Sequence, residues 1–226
     1  MIRVFIGYDA AEEVAFSVLS YSIHRHASRP VAIAPVKLGE LRGVYDRTPD
    51  PLQSTEFSFS RFLTPWLAGY QGWALFMDCD MLMRRDIAEL WALRDERYAV
   101  QVVKHQHVPK EDVKFRSRPQ TKYEKKNWSS VMLMNCARCA ALTPDYVNRA
   151  SGLELHQFKW LESDDRIGAL PPEWNHLVGY DPPRPDAALA HFTIGGPWFE
   201  PYRDSEFADE WWEERERMLS SAGRVR

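Results

Sequence analysis

Trp73-Ala74-Leu75-Phe76-Met77-Asp78-Cys79-Asp80 is an uncharged apolar run that ends in two carboxylates one residue apart. Ala74 to Met77 is too short and too continuously apolar for a strand with one wet face. The run therefore predicts a strand covered on both sides, as in the sheet of an α/β fold. Ligands of open α/β sheets collect outside the carboxyl ends of strands, which is where Asp78 and Asp80 stand. On extended backbone their side chains leave on the same side while Cys79 points the other way. Two hard oxygen ligands so placed suit Mg2+ or Mn2+, ions that keep coordination positions for water and substrate phosphates. A helix-capping turn is the competing reading. It is weakened because a cap follows on its own: Asp86-Ile87-Ala88-Glu89 has the capping-box pattern and opens a predicted helix from Ile87 to Leu93.

Upstream, Ile2 to Ile6 predicts a strand closed by Gly7-Tyr8-Asp9. Glu12 to His26 predicts a helix with Val14, Ala15, Val18, Leu19 and Ser22 on one face. Such a β-α start implies parallel pairing. Tyr8 and Asp9 place a ring and an acceptor at a strand end, where a base could stack and a ring N–H or ribose hydroxyl be held; Asp9 fits equally as a helix N-terminal residue. Neither GxGxxG nor a P-loop occurs. Val31 to Val36 is a second strand. Phe59, Phe62, Leu63 and Trp66 then recur at helical spacing, with Pro65 as a break. Arg61 in that run would hold an aspartate, contact a phosphate, or lie on a solvated face.

Downstream, Tyr98 to Val103 predicts a strand leading into Lys104 to Lys126, which carries eight basic and three acidic residues in a chain of net charge -3. Pro109, Pro119 and the lack of periodicity make residues 104–126 a basic loop. It is either solvated or a contact for an anionic acceptor or membrane surface. Val131 to Met134 followed by Asn135 repeats the pattern of an apolar run with a polar end. Thr143-Pro144-Asp145 starts a helix, Leu153 to Leu161 predicts another, and Glu162-Ser163-Asp164-Asp165 gathers three acids before the run Ile167 to Leu170. Ala187 to His191 reads as a small strand. In Gly195-Gly196-Pro197-Trp198 the paired glycines let backbone approach a ligand closely. Residues 204–226 form a C-terminal helix and tail, packing through Phe207, Trp211 and Met218.

A chain of 226 residues, 45% hydrophobic, can bury one sizeable core, so residues 1–226 are read as a single domain. A net charge of -3 and a pI near 6.2 argue against nucleic acid as a partner. Cys136-Ala-Arg-Cys139 lacks the second CxxC that a four-ligand zinc site needs. Asp9, Glu12 and Glu13 interrupt any signal-peptide core, and no apolar span reaches membrane length, so the cytoplasm is the expected compartment.

Taken together, Gly7-Tyr8-Asp9, Asp78-x-Asp80, Ser130-Val-Met-Leu-Met-Asn135, Leu170-Pro-Pro-Glu-Trp-Asn175, and His191 with Gly195-Gly196-Pro197-Trp198 resemble glycosyltransferase family eight along nearly the whole chain. The resemblance implies a GT-A fold: α/β, Rossmann-like, with a mostly parallel mixed sheet flanked by helices. It implies transfer of a hexose, with retention, from a nucleotide-diphosphate sugar, taken as a UDP-sugar, to a glycan, a lipopolysaccharide or another small acceptor. Asp78, Asp80 and His191 would bind Mn2+ (or Mg2+), and Tyr8 and Asp9 would hold the nucleoside. Asp164 or Asp165 would be the catalytic carboxylate at the sugar, and Gly7, Arg61, Asn135, Gly195, Gly196 and Trp198 would complete the donor site. The family usually has a Lys shortly before Pro-Trp, where this chain has Gly196, and the spacing from His191 is shorter. Phosphate clamping would then pass to Arg61 or a residue of the basic loop. Two other functions compete. Phe76-Met77-Asp78-Cys79-Asp80 also looks like the nucleophile motif of haloacid dehalogenase-like phosphohydrolases, with Asp164-Asp165 as later metal acids, although Met81-Leu82 stands where a Thr or Val is usual. A sugar-nucleotide-binding protein without turnover is the non-enzymatic alternative.

Overall fold

A computed structural model of the chain describes residues 1–48, 53–106, 113–114, 118–119 and 125–222. Its strands are β1 (Ile2–Gly7), β2 (Val31–Val36), β3 (Trp73–Met77), β4 (Met81–Met83), β5 (Val100–Val102), β6 (Val113–Lys114), β7 (Arg118–Pro119), β8 (Val131–Asn135), β9 (Ile167–Ala169), β10 (His176–Leu177) and β11 (Leu189–His191). Its α-helices are α1 (Glu13–His26), α2 (Thr64–Leu67), α3 (Ile87–Ala92), α4 (Pro144–Arg149), α5 (Gly152–His156) and α6 (Ala208–Ala222).

The apolar run becomes β3, buried at every position. It is central in a six-stranded sheet of order β2-β1-β3-β8-β5-β9. β1 pairs parallel with both β2 and β3, and β9 is parallel to β5. β8 alone runs against its neighbours, pairing antiparallel with β3 and β5. That reversal matters for the site. It aligns Val131 with Met77 and Asn135 with Trp73, so the start of β8, not its end, lies beside Asp78.

A second sheet, β10-β11-β4, continues from the strand that carries the aspartates. α1 packs against β4 through Ala15, Val18, Leu19, Ser22 and Ile23, the i, i+3, i+4, i+7, i+8 stripe of an amphipathic helix. The buried Ser22 hydroxyl accepts from the Met83 amide at 3.2 Å, fastening β4 to the helix. α6 also packs on α1, with Val18, Leu82 and Trp211 in one apolar cluster, and Arg25 Nε donates to the buried Glu214 carboxylate at 2.8 Å.

Local signals hold with three differences. Asp86 caps α3 by accepting from the Ala88 amide at 2.9 Å, but Glu89 pairs with Arg85 rather than closing the box. The predicted helix Leu153 to Leu161 is shorter: α5 has a full capping box from Ser151 and Glu154, then stops because Phe158 adopts a left-handed φ of 58° to bury its ring. The first helix opens with a 3-10 turn at Ala10–Glu12 capped by Asp9. Most of the basic loop lies outside the described residues.

At the end of β1, a Cβ added to Gly7 would stand 2.3 Å from the ring of Phe57, which is fully buried and has no room to swing aside. Gly7→Ala should cost about 1–3 kcal/mol by overpacking. The measurement is a urea melt; an unshifted midpoint at constant slope would show that Phe57 does not close this strand end.

Candidate metal centre

Asp78 and Asp80 sit in the turn between β3 and β4, pinned on both sides by backbone bonds. The Asp78 amide donates to the Ser130 carbonyl at 2.9 Å, and the Asp80 carbonyl accepts from the Phe192 amide at 2.8 Å. Immediately afterwards β4 pairs antiparallel with β11 and sets Met81 opposite His191. This register carries His191 to the aspartates across the long intervening sequence. One ligand atom from each of Asp78, Asp80 and His191 lies within 4.8 Å of the others, and His191 Nε2 is 3.4 Å from Asp80 Oδ1.

Asn175 prepares the histidine for ligation. Its Nδ2 donates to the Ser130 hydroxyl at 2.9 Å and to the Asn127 carbonyl at 3.4 Å, which fixes the amide so that Oδ1 faces His191. His191 Nδ1 lies 2.9 Å from that Oδ1 and must donate to it. The lone pair is thereby left on Nε2, toward Asp80, the tautomer a metal requires. Two carboxylates and a neutral imidazole with a locked second nitrogen are a donor set that fits Mn2+ or Mg2+.

Arg61 lies behind the pair. Its Nη1 donates to Asp78 Oδ1 at 2.8 Å and to the Ser129 carbonyl at 3.1 Å, and the buried guanidinium packs against the rings of Phe57 and Phe76. Of the readings open for Arg61, the structure selects the one in which it holds an aspartate. A carboxylate has lone pairs enough to keep Arg61 and an ion at once. The Ser129 hydroxyl continues the network to His156 Nδ1 at 2.8 Å.

Other predicted residues fall at differing distances from this centre. Gly7 ends β1 and Tyr8 and Asp9 follow it; Ile6 is level with Met77, so this strand end borders Asp78. Lys37 lies over the Tyr8 ring at 4.5 Å, and the Asp9 carboxylate accepts from the amides of Ala11 and Glu56 at 2.9 and 3.3 Å. Gly195 and Gly196 follow β11 on the same side, but the rings of Tyr202 and Trp198, not open space, lie against their backbones. Trp198 packs on Phe192 and Trp211.

Asp164 is exposed and receives Lys125 Nζ at 2.5 Å, a bond that holds its carboxyl below the ordinary carboxylate range. Asp164 and Asp165 precede β9, whose Ile167 is level with Val100, Met134 and Ala74 across the sheet, away from the level of Met77. Asn135 needs correction. The resemblance implied a place in the donor site; the antiparallel β8 puts Asn135 level with Trp73, at the opposite end of β3 from Asp78, where it donates to Glu96 at 2.8 Å.

Sequence reasoning also passed over Glu12. Cys79 donates from its buried thiol to Glu12 Oε2 at 3.4 Å. Burial and then the charge of Asp80, with smaller contributions from Asp9 and Asp78, push the Glu12 carboxyl up to about 8. Only its place in the first strand-to-helix turn could have signalled it. Asn175, by contrast, closes a motif visible in the sequence.

Comparison with solved structures defines the class. The chain matches the bifunctional glycosyltransferase WbbM with a TM-score of 0.66 at 16% identity, over 95% of this chain and 49% of that one. It matches the glycosyltransferase GlyE of Streptococcus pneumoniae TIGR4 with a TM-score of 0.63 at 15% identity, over 97% and 62% of the two chains. The galactosyltransferase LgtC, solved with donor and acceptor sugar analogues, gives 0.58 at 11% identity over 96% of each. The chain thus spans about half of WbbM and less than two thirds of GlyE. The fold is GT-A, that of these glycosyltransferases. No protein-family model matches the chain. It is 47% identical to Protein CDI of Arabidopsis thaliana over 223 residues, 95% of this chain and 86% of that protein, and it belongs to the family of that protein.

Two outcomes follow from the geometry. Asn175→Ala frees the His191 ring to rotate and change tautomer, and should weaken Mn2+ binding about 10–100-fold; calorimetric titration with Mn2+ alone reads this, and an unchanged affinity would mean the ring is held by something else. With Glu12 raised, the folded chain keeps a proton that the unfolded chain has lost, so metal-free stability should fall as pH rises from the ordinary value of 4.5 toward about 8. Melting temperatures across that window check the slope. Glu12→Gln should flatten it, and an equal slope in parent and variant would remove Glu12 from the electrostatics of the centre.

Proposed function

We propose that the protein is a metal-dependent glycosyltransferase of the family-eight kind, moving a hexose with retention from a nucleotide-diphosphate sugar, a UDP-sugar, to a glycan or lipopolysaccharide acceptor. The observation that carries this reading is the Asp78-Asp80-His191 group at the C-terminal end of β3 in a GT-A fold, with His191 already held in the ligating tautomer. The same fold comparisons set the phosphohydrolase alternative aside.

Asp78, Asp80 and His191 would hold Mn2+ (or Mg2+), which supplies the positive charge that a departing nucleoside diphosphate needs. Arg61 aims Asp78 by a buried charge-assisted bond. Asn175 holds a proton on His191 Nδ1, so that the neutral ring presents its lone pair from Nε2. Tyr8 and Asp9, next to Asp78 at the end of β1, would receive the nucleoside, with the Tyr8 ring as a stacking face and the Asp9 oxygens as acceptors. Asp164 or Asp165 is assigned to the reacting sugar; for Asp164 the Lys125 contact would have to open or serve as part of the sugar's hydrogen-bonding shell. Gly195, Gly196 and Trp198 form the adjoining wall.

Among the described residues no helix is long and apolar enough to cross a membrane. The reading places the enzyme in the cytoplasm, with residues 104–126 as the contact to an anionic acceptor or the inner face of a membrane.

The test is calorimetry with a panel of UDP-sugars, with and without Mn2+. The parent should bind one of them only when the ion is present. Asp78→Asn and Asp80→Asn should each reduce that binding at least tenfold while leaving the far-UV spectrum unchanged. Metal-independent binding, or full affinity in both variants, would sink the assignment. Tight binding without hydrolysis or transfer would convert the reading to a sugar-nucleotide-binding protein.

A further inference from the structure

The small sheet β10-β11-β4 has a second face. Leu177 of β10 is level with His191 and His176 with Ala190, and successive strand side chains leave opposite faces. His176 therefore points away from the metal ligands, to the side where Ala190, Phe192 and Trp211 of α6 pack together. Beside it lies a cavity of about 460 Å³ walled by Tyr180, Asp181, Pro182, Pro183, Ser205 and Glu206. Its two carboxylates are fixed by backbone: Asp181 Oδ2 accepts from the Leu177 amide at 2.9 Å, and Glu206 Oε1 from the Arg184 amide at 3.0 Å. Among the described residues neither has a Lys or Arg partner, and the Arg184 guanidinium pairs with Asp186 instead.

His176, fully buried, stands behind both acids. A carboxylate only accepts, so His176 Nε2 donates to Glu206 Oε2 at 2.9 Å. Nδ1 is turned toward Asp181, 3.8 Å from Oδ2, too far for a hydrogen bond, and is buried without a partner. The Ser205 hydroxyl oxygen in the cavity wall is buried and unpartnered as well. Buried polar atoms are nearly always hydrogen-bonded, so two orphans at one cavity mark bonds that another molecule completes. The walls offer acceptors and no cation. A primary ammonium, with three N–H donors and no acceptor, is the complementary group, and Tyr180 and the two prolines give apolar surface for the carbon atoms that carry it. A bare metal ion is the poorer occupant, because among the described residues only Asp78, Asp80 and His191 bring three such ligand atoms within 4.8 Å of one another. We propose that this cavity binds a small organic cation through its primary ammonium group, held between Asp181 and Glu206. The site stands apart from the metal centre and does not depend on the transferase reading.

The experiment is titration of the full chain by calorimetry with 1,4-diaminobutane and with 1,4-butanediol, the neutral molecule of the same length. The parent should bind the diamine at least about tenfold more tightly than the diol, the loss expected when a hydrogen bond between charged groups becomes a neutral one. Asp181→Asn and Glu206→Gln, which keep an oxygen for the backbone amides, should each weaken the diamine by about the same factor and leave Mn2+ affinity at the parent value. Ser205→Val, which narrows the cavity and leaves both carboxylates in place, should also weaken the diamine, and it decides the matter if either charge variant melts lower than the parent. Equal affinity for diamine and diol, no binding of the diamine by the parent, or parent-like diamine affinity in all three variants would overturn the proposal. Loss of Mn2+ binding together with the diamine would overturn it too, by showing that the two sites are one.

Discussion

Two carboxylates confined to one strand end repel each other, by about 4 kcal/mol for unit charges 4 Å apart at an effective dielectric of 20. The surroundings of Asp78 and Asp80 are built around that repulsion. Arg61 answers part of it from behind, because the segment that follows Phe57 folds as a 3-10 turn and carries the guanidinium against two aromatic rings. The buried ion pair is short, and Arg61 also reaches the Ser129 carbonyl, which meets the requirement that a desolvated charge be hydrogen-bonded as well as paired. Asp80 receives a neutral imidazole rather than a second cation. The balance of one guanidinium against two acids leaves the end of β3 electronegative inside an otherwise apolar wall, the condition under which a divalent ion is bound rather than merely tolerated.

The course of the chain near this point follows from what must meet there. A strand that ended the sheet at Asp80 would leave its carbonyl and the next amides unpaired; continuing as β4 and pairing with β11 satisfies them and imports His191 in the same step. β10 completes that small sheet and starts directly after Asn175, so the residue that orients the histidine is placed by the strand adjacent to the one carrying it. The antiparallel β8 brings Ser129 and Ser130 to the aspartates, where their carbonyls take the Arg61 guanidinium and the Asp78 amide. Had β8 been parallel, Asn135 would have stood there instead, with a side chain in place of the two carbonyls.

The C-terminal segment shows a different use of small residues. Gly195 and Gly196 sit under the rings of Tyr202 and Trp198, and Trp198 in turn packs on Trp211 of α6. The aromatic stack joins the loop after His191 to a helix that also grips α1 through Arg25 and Glu214. Because α1 follows directly from the turn containing Asp9 and Glu12, the two ends of the site are held to one another by the same contact of two helices and a loop.

What could be read from the sequence was local. A five-residue apolar strand ending in Asp-x-Asp, an N-terminal β-α unit, caps at Asp86 and Thr143 and the face of α1 all depend on periodicity and on residues within one turn of each other, and each appears in the structure. The family resemblance added His191, which no spacing argument could have joined to Asp78. Strand direction was not legible, because an apolar run buried on both faces looks the same in either orientation, and nothing in the pattern told that Asn135 stands at the opposite end of β3 from Asp78. Glu12 was equally invisible, since an acid in a first helical turn is ordinary by sequence and exceptional only when Cys79 and Asp80 are found beside it. The sequence by itself determined which residues could bind a cation and that a strand would present them. Only the tertiary structure decided which groups stand behind them, because the guanidinium of Arg61, the amide of Asn175 and the carboxyl of Glu12 reach the centre from separate segments through pairings that no local pattern encodes.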